Sequence, residues 1–255
     1  MKINVVTQNQ AVFNFTKILT HFGHTVVPIN GQFTDCDVAI YDSEFYEQIQ
    51  QVKNCLKIEN ITKEKVSNDF SISFLENGAD HKINETCSLL GRGTYNKDLA
   101  CDITANNQNA EAVMLLNPYL SLGHQIKIFG QQPLNLFCYC GALDEIMAND
   151  LYVSAKVTLC PTKQSLMRVL EAGGTPITNV DIGLPEEYVF TDNLKDKVDY
   201  LLSNKGEDIT SFRNDIIKKY NVYNEWTEIL KQVGLNKISK QCEAYGNEKS
   251  KTAYF

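Results

Sequence analysis

The chain has 255 residues, a formal net charge of −7 and a pI of about 5.2, which argues against a broad electrostatic grip on nucleic acid. Its content of 43% apolar and 22% charged residues is ordinary for a soluble globular protein. No apolar run approaches the roughly 20 residues of a membrane-spanning helix, and the N-terminus lacks the basic-then-apolar pattern of a signal peptide. We therefore expect a cytoplasmic protein with no membrane span.

The eight cysteines contain no CxxC pair, and reduced thiols are the default in a chain that is not exported. Cys138 and Cys140 have a spacing that could clip a metal ion, but no second half-site lies near them in the sequence. We therefore expect no metal site.

The first 80 residues alternate between short apolar strands and helical patterns. Apolar residues recur at helical spacing from residue 10 to 22, and Gly23 follows as a helix stop. Ser43 is a plausible N-cap for a second helix. The predicted strands are 2–7, 25–29, 38–41, 55–58 and 71–75, and the predicted helices are 10–22 and 43–52.

A second alternating run begins at Leu99, after a candidate linker at 82–97. The tail after Gly234 is polar and is expected to be loose. The predicted strands are 99–104, 125–129, 136–139, 157–160, 176–178 and 188–190. The predicted helices are 110–117, 143–150, 165–172, 194–203, 209–220 and 223–233.

Strands that alternate with helices indicate parallel sheets with helices on their faces. We expect an α/β protein with a small N-terminal domain (1–90), a larger domain (91–222) and a C-terminal segment (223–255). Ligands in such folds bind outside the carboxyl ends of the strands. With two Rossmann-like domains, this predicts a site in the cleft between them.

The strand–loop–helix stretch at 157–172 carries the clearest binding signal. Arg168 and Glu171 lie three residues apart, so they share a region of one helix surface. They follow a helix start, where an anion is stabilised. A cation beside a carboxylate suits a ligand with phosphates and sugar hydroxyls. The alternative interpretation of the pair is an ordinary salt bridge on the helix surface.

The second half resembles the donor-binding domain of GT-B glycosyltransferases, over roughly residues 77 to 233. The pattern from Ser154 to Leu159, then Met167-Arg168-Val-Leu-Glu171-Ala-Gly-Gly-Thr-Pro-Ile-Thr178, is similar to the spore-maturation type. The segment from Asp102 through Gly130 to Glu171 resembles the DNA β-glucosyltransferases of T-even phages. The turn 77–80 resembles one that often precedes this domain.

This resemblance implies roles for several residues in binding a nucleotide-sugar, with a UDP-sugar as the expected donor and no further cofactor. Glu171 would accept hydrogen bonds from the ribose, and Arg168 would neutralise the diphosphate. Gly141 to Leu143 would hold the base. The loop from Asn106 through Asn107 to Asn109 would lie beside the phosphates. Lys156 and Lys163 are candidate additional cations. The segment 223–255 would supply a helix that crosses back to the first domain.

An inverting transferase also needs a general base on the acceptor side. Glu59 and Asp42 both qualify, since each follows a predicted strand of the N-terminal half. The sequence departs from the family in two respects: the loop 105–109 lacks the glycines and arginines of the phage enzyme, and the N-terminal half is short.

Three functions remain open at this point. The first is a glycosyltransferase acting on a saccharide, a protein or a hydroxymethylated DNA base, in the host cytoplasm if the enzyme is viral. The second is a catalytically degenerate module that binds a nucleotide or a sugar with the same fold. The third is another nucleotide-binding enzyme with two domains, such as a sugar-nucleotide epimerase.

Overall fold

A computed structural model of the chain describes residues 1–8, 10–28, 35–75, 78–83, 92–106, 110–120, 122–131, 133–204 and 206–253. Half of the expected linker at 82–97, Asn107 and part of the turn at 77–80 lie outside the described residues. The chain divides into two compact units, each with a parallel sheet. This α/β, Rossmann-like architecture is the fold class that the alternating pattern predicts. Among the described residues, no helix combines the length and apolar character that a membrane crossing requires.

Unit 1 contains residues 1–85 and 222–246. Its six strands are arranged in the order β2-β1-β3-β4-β5-β6, and all neighbouring pairs are parallel. The strands are β1 (Lys2–Val6), β2 (Thr25–Pro28), β3 (Val38–Asp42), β4 (Leu56–Asn60), β5 (Phe70–Ser73) and β6 (His81–Lys82). Its helices include α1 (Gln10–Lys17), α2 (Tyr46–Ile49) and, from the C-terminal part, α8 (Val222–Gln232).

Local sequence features explain several of the elements of unit 1. Gly23 ends the turn of 3-10 helix that extends α1, with φ at 74°, a conformation that glycine adopts without strain. Every residue of β3 is buried, as expected for a central strand covered on both faces. The expected helix at 43–52 begins as a 3-10 turn (Ser43–Phe45), and its N-cap position is Asp42 rather than Ser43.

Unit 2 contains residues 86–221 and 247–255. Its sheet has the order β10-β9-β7-β8, again all parallel. The strands are β7 (Cys101–Asn106), β8 (Ile126–Phe129), β9 (Ala155–Leu159) and β10 (Pro176–Ile177). The helices are α3 (Ala110–Leu120), α4 (Glu145–Ser154), α5 (Lys163–Ala172), α6 (Leu194–Ser203) and α7 (Thr210–Lys219). Two expected strands, 136–139 and 188–190, are reduced to single bridges at Tyr139 and Val189.

The expectation of a loose tail after Gly234 is wrong, because residues Asn236–Ala253 form helix α9. Ser239 and Cys242 are buried at helical spacing. The Cys242 thiol donates to the Tyr223 carbonyl at 3.3 Å, and the ring of Tyr245 lies 5.2 Å from that of Tyr223. The buried face is built from small and polar side chains, so it carries little of the apolar periodicity that identifies a helix in a sequence.

Candidate functional site

The sheet of unit 2 contains a topological switch point between β7 and β9. The chain passes from β7 to β8 on one side and then to β9 on the other side of β7. The two connections therefore diverge at the carboxyl ends of β7 and β9. A crevice at this place is where open α/β sheets bind their ligands.

An open pocket of about 160 Å³ lies at this switch point. Three elements meet there: Asn106 ends β7, Tyr152 belongs to α4, and Arg168 belongs to α5. The lining residues described are Asn106, Tyr152, Leu159, Pro161, Thr162, Gln164, Ser165 and Arg168. The volume is below the roughly 300 Å³ at which sites for whole small molecules begin, so the pocket suits one polar part of a ligand, such as a phosphate group.

The first turn of α5 forms one wall of the pocket. Thr162 is its N-cap and accepts from the Ser165 N–H at 3.2 Å, and the Ser165 hydroxyl accepts from the Thr162 N–H at 3.2 Å. This reciprocal capping fixes where the helix begins. The first N–H groups of a helix have no carbonyl partner within the helix and carry its positive end. The wall therefore favours an anion.

Two consecutive glycines hold the other end of α5. Gly173 has φ at 96° and closes the helix in the left-handed conformation. Gly174 lies so close to α4 that an added Cβ would come within 2.6 Å of the Tyr152 carbonyl oxygen. Its own carbonyl accepts from Arg213 Nη2 at 2.6 Å. The glycine pair that reads as a helix stop thus also allows α5 to pack closely on α4, and this packing places Arg168 beside Tyr152.

Arg168 provides the cation of the pocket. Its side chain is exposed, and in the described part of the chain it forms no hydrogen bond or salt bridge with another residue. Burial raises the pKa of the Tyr152 hydroxyl to about 12, although Arg168 and a hydrogen bond shared with Asn106 oppose that shift. The Tyr152 hydroxyl therefore stays protonated beside the neutral amide of Asn106, while Arg168 offers a guanidinium to an incoming anion.

Glu171 does not share the pocket with Arg168. It is only 4% exposed and is not among the described residues that line the pocket. No salt bridge joins it to Arg168 within the described residues. Two side chains three residues apart point about 60° apart around the helix axis, and here that angle separates the exposed face from the buried one.

The two lysines predicted as additional cations lie elsewhere. Lys156 follows the first residue of β9, at the amino end of the sheet, and its ammonium contacts Asp102 Oδ1 at 2.8 Å. It therefore lies at the opposite end of the strand from the pocket. Lys163 begins α5, but its ammonium lies 4.6 Å from the centre of the Tyr220 ring, which is a cation–π contact.

The loop expected to hold a base lies beside β8 rather than at the pocket. The Gly141 carbonyl accepts from the Gly130 N–H at 3.1 Å, and Gly141 has φ at 90°. Leu143 packs partly buried against the core of unit 2. Neither residue lines the pocket. Asn107 lies outside the described residues, whereas Asn106 lines the pocket.

The two candidate bases of unit 1 are internal hydrogen-bond acceptors. Glu59 is fully buried and accepts from the hydroxyls of Ser43 at 2.8 Å and Ser67 at 2.6 Å, and from the N–H of Val66 at 2.9 Å. Burial raises its pKa, but the hydrogen bonds from Ser67, Val66 and Ser43 outweigh that effect, so the pKa lies below its ordinary value. A carboxylate that is enclosed and satisfied in this way is not presented to an acceptor hydroxyl, and its role as general base is not retained.

Asp42 occupies the switch point of unit 1, between β1 and β3. It is 1% exposed and accepts from the Thr7 hydroxyl through both oxygens, each at 2.8 Å, and from the Gln8 N–H at 2.9 Å. Asn60 Nδ2 donates to it at 2.6 Å. The Asp42 carboxylate thus accepts the hydrogen bonds that the groups following β1 would otherwise donate to an anionic ligand. Its predicted role as a general base is not retained either.

Several lining residues escaped the sequence interpretation. Thr162 and Ser165 carry a recognisable signal, since a Thr followed three residues later by a polar partner is a helix-capping pattern. Tyr152 carries none, because its place in the pocket depends on how α4 packs against α5. The described residues contain no cluster of three or more His, Cys, Asp or Glu side chains that could hold a metal ion.

No protein-family model and no curated protein sequence matches the chain. Similar solved structures are dehydrogenases. D-2-hydroxyisocaproate dehydrogenase is 11% identical, with 78% of this chain and 76% of that chain covered and a TM-score of 0.24. The NAD-bound formate dehydrogenase of Staphylococcus aureus is 13% identical, with 70% and 72% covered and a TM-score of 0.21. The 3-phosphoglycerate dehydrogenase of Entamoeba histolytica with NAD⁺ is 15% identical, with 80% and 90% covered and a TM-score of 0.23.

These neighbours contradict the main functional prediction. The structures named are dehydrogenases, two of them with bound NAD, and not glycosyltransferases, so the prediction of glycosyl transfer from a UDP-sugar, including phage-type DNA modification, is wrong on this comparison. At such low TM-scores the likeness carries no argument for dehydrogenase activity in this chain. What remains is a pair of Rossmann-like units and, among the described residues, an open pocket lined by Arg168 at the switch point of unit 2.

Proposed function

We propose that unit 2 is a nucleotide-binding module in which Arg168 contacts a phosphate group of the ligand. The single observation that supports this most strongly is the exposed Arg168 guanidinium lining an open pocket at the switch point between β7 and β9. The positive end of α5 faces the same pocket. Asn106, Thr162 and Gln164 add neutral polar groups for the phosphate oxygens or the ribose.

The sequence favours a mononucleotide over a dinucleotide. Dinucleotide-binding Rossmann folds follow their first strand with G-x-G-x-x-G, whose glycines admit the pyrophosphate to the backbone. Here β7 is followed by Asn-Gln-Asn-Ala (107–110) and β1 by Thr-Gln-Asn-Gln (7–10), and the fingerprint occurs nowhere in the sequence. The facing arrangement of domains that the glycosyltransferase resemblance implies stays a prediction.

Unit 2 is the better candidate for the ligand because a buried carboxylate already lies at the switch point of unit 1. There the Asp42 carboxylate already holds the Thr7 hydroxyl and the Gln8 N–H. A phosphate at that place would meet a buried like charge, which is strongly unfavourable. The two units therefore have the same kind of sheet but different ligand chemistry.

The test is isothermal titration with nucleoside mono-, di- and triphosphates, with NAD, and with the corresponding nucleosides. Phosphorylated mononucleotides should bind and the nucleosides should not. Arg168→Ala should weaken binding about 10- to 100-fold, since a hydrogen bond to a charged group contributes roughly 1.5 to 3 kcal/mol. Arg168→Lys should recover only part of the affinity because it keeps the charge but loses the planar fork.

Two variants serve as matched controls. Lys156→Ala removes a cation from the amino end of the same sheet, so nucleotide affinity should not change. Glu171→Gln removes a buried carboxylate that does not line the pocket, so affinity should also stay within about twofold. If the wild-type protein binds none of the nucleotides, or if Arg168→Ala binds them as well as the wild type does, the proposal is rejected.

A further inference from the structure

Two cysteines lie side by side at the amino ends of neighbouring strands in unit 1. Cys36 precedes β3 by two residues, and Cys55 immediately precedes β4. The two strands are parallel, with Val38 opposite Leu56. The Leu56 N–H donates to the Asp37 carbonyl at 2.9 Å, so the register places Cys55 opposite Asp37, with Cys36 one residue further back on the neighbouring strand. This edge is opposite the one that holds Asp42 and Glu59.

The backbone before Cys55 turns in an unusual way. Asn54 has φ at 59°, and it is the one non-glycine residue with a positive φ among those described. This conformation is left-handed and is tolerated by asparagine better than by most residues. In a regular parallel ladder, successive side chains alternate between faces. The turn at Asn54 interrupts that alternation directly before Cys55.

The Cys36 thiol interacts electrostatically with the neighbouring Cys55. Neighbouring strands lie roughly 4.8 Å apart, and a disulfide joins Cα atoms roughly 4.4 to 6.8 Å apart. Both cysteines are partly exposed and pack against the small core formed by Val6, Ala39, Tyr41, Ile49 and Val52. Bond formation therefore requires no large backbone movement, and a small reagent can reach the sulfurs.

We propose that Cys36 and Cys55 form a dithiol pair that is oxidised reversibly to a disulfide by exchange with a low-molecular-weight disulfide such as glutathione disulfide. This site is separate from the nucleotide pocket, which lies in unit 2. It is a modification site of unit 1 that responds to the thiol–disulfide balance around the protein.

The exchange balances without any further oxidant. One cysteine thiolate attacks a sulfur of glutathione disulfide, which breaks that S–S bond and releases one glutathione thiolate. The second cysteine loses its proton to solvent and attacks the protein sulfur of the mixed disulfide, which releases the second glutathione. The protein loses two electrons and one glutathione disulfide gains them as two thiols.

Burial, with a smaller contribution from the neighbouring Cys55, raises the pKa of the Cys36 thiol to about 11. Cys36 is therefore protonated at neutral pH, and thiolates are the attacking species. The rate of closure should accordingly rise with pH.

The remaining described cysteines provide controls. Cys101, Cys160 and Cys242 are buried. Cys138 and Cys140 are two residues apart in one segment, and the Cys140 thiol donates to the Ile128 carbonyl at 3.2 Å. Cys140 is exposed, so Cys140→Ser tests whether a reactive surface thiol accounts for any oxidation.

The experiment equilibrates the full-length protein in glutathione redox buffers, quenches with acid, alkylates free thiols and maps the peptides by mass spectrometry. We expect a linked peptide pair containing Cys36 and Cys55, so that two of the eight thiols escape alkylation. Reduction should restore both. Cys36→Ser and Cys55→Ser should each abolish the link, whereas Cys140→Ser should keep it.

Three results would overturn the proposal. One is full alkylation of Cys36 and Cys55 at every redox ratio that leaves the protein folded by circular dichroism. Another is glutathione attached to Cys55 with no internal bond. The third is a disulfide that joins other cysteines instead. Because the wild-type protein itself is mapped, a serine variant that fails to fold does not prevent a decision.

Discussion

At the scale of single residues, the three charged side chains singled out for binding or catalysis differ in their solvent exposure and in their hydrogen-bond partners. Arg168 is exposed and lines the pocket. Glu59 and Asp42 are buried and receive hydrogen bonds from hydroxyl, amide and backbone N–H groups. Asp42 and Glu59 lie at the carboxyl ends of their strands, whereas Arg168 lies within α5. Their environment, rather than their residue type, decides which of them can bind a ligand.

Glu59→Gln should destabilise unit 1 without affecting nucleotide binding. An amide has one acceptor oxygen, so some of the donors from Ser43, Val66 and Ser67 lose their partner, at roughly 1 to 3 kcal/mol for each buried unsatisfied group. Urea unfolding at neutral pH measures the loss. The exposed Glu47→Gln is the matched control and should change stability by less than about 0.5 kcal/mol.

The Glu59→Gln variant should also change how the free energy of unfolding depends on pH in the acidic range. The folded-state pKa of Glu59 lies below its ordinary value of 4.5, so its contribution is fully present above that value and is lost as the pH falls through the folded pKa. Between about pH 5 and pH 3, the free energy of unfolding should therefore decrease less steeply with falling pH in Glu59→Gln than in the wild type. Equal slopes would mean that the buried carboxylate does not titrate as its hydrogen bonds imply.

At the scale of elements, α5 is positioned at both ends. Thr162 and Ser165 fix its start, and the two glycines fix its end and its distance from α4. Arg168 and Tyr152 meet because of this packing. The pocket is therefore a property of the α4–α5 pair and not of either helix alone.

Gly174→Ala should damage the pocket indirectly. The added Cβ would lie 2.6 Å from the Tyr152 carbonyl oxygen, which is backbone, so α5 must move away from α4. We expect lower stability together with nucleotide affinity reduced about tenfold, a loss of about 1.4 kcal/mol, measured by thermal unfolding and titration. Gly183→Ala is the comparison: it meets no atom within 4 Å but has φ at 85°, so it should cost roughly 1 to 2 kcal/mol of stability while affinity stays the same.

At the scale of the whole molecule, the chain forms two units whose boundaries do not follow the order of the sequence. Residues 222–246 return to the unit that residues 1–85 begin. The one tryptophan of the chain, Trp226, is 1% exposed, stacks on Phe15 at 4.7 Å and donates to the Phe15 carbonyl at 2.7 Å. Its fluorescence therefore reports on unit 1.

This gives a test of where the nucleotide acts. A nucleotide at about 100 times its Kd stabilises the unit that binds it by roughly 2.7 kcal/mol. We expect the urea transition seen by circular dichroism to move upward while the transition seen by Trp226 fluorescence stays in place. If both transitions move together by the same amount, the two units unfold as one, and the assignment to unit 2 then depends on the Arg168 variants alone.

The sequence by itself determined the alternation of strands and helices, the parallel α/β class and the helix that carries Arg168. These depend on residues close together in the chain: apolar periodicity, caps and glycine stops. Asn106 was singled out differently, through the glycosyltransferase resemblance, which implies a loop beside the phosphates after this strand.

Only the tertiary structure decided which charges reach the pocket. Glu171 is buried because a rotation of about 60° crosses the edge of the helix face, and Lys156 lies at the far end of its strand, paired with Asp102. Asp42 and Glu59 find partners on neighbouring strands and loops, and Tyr152 reaches the pocket through the packing of α4 on α5. These contacts join residues distant in sequence, so strand register and helix orientation determine them, and local patterns do not.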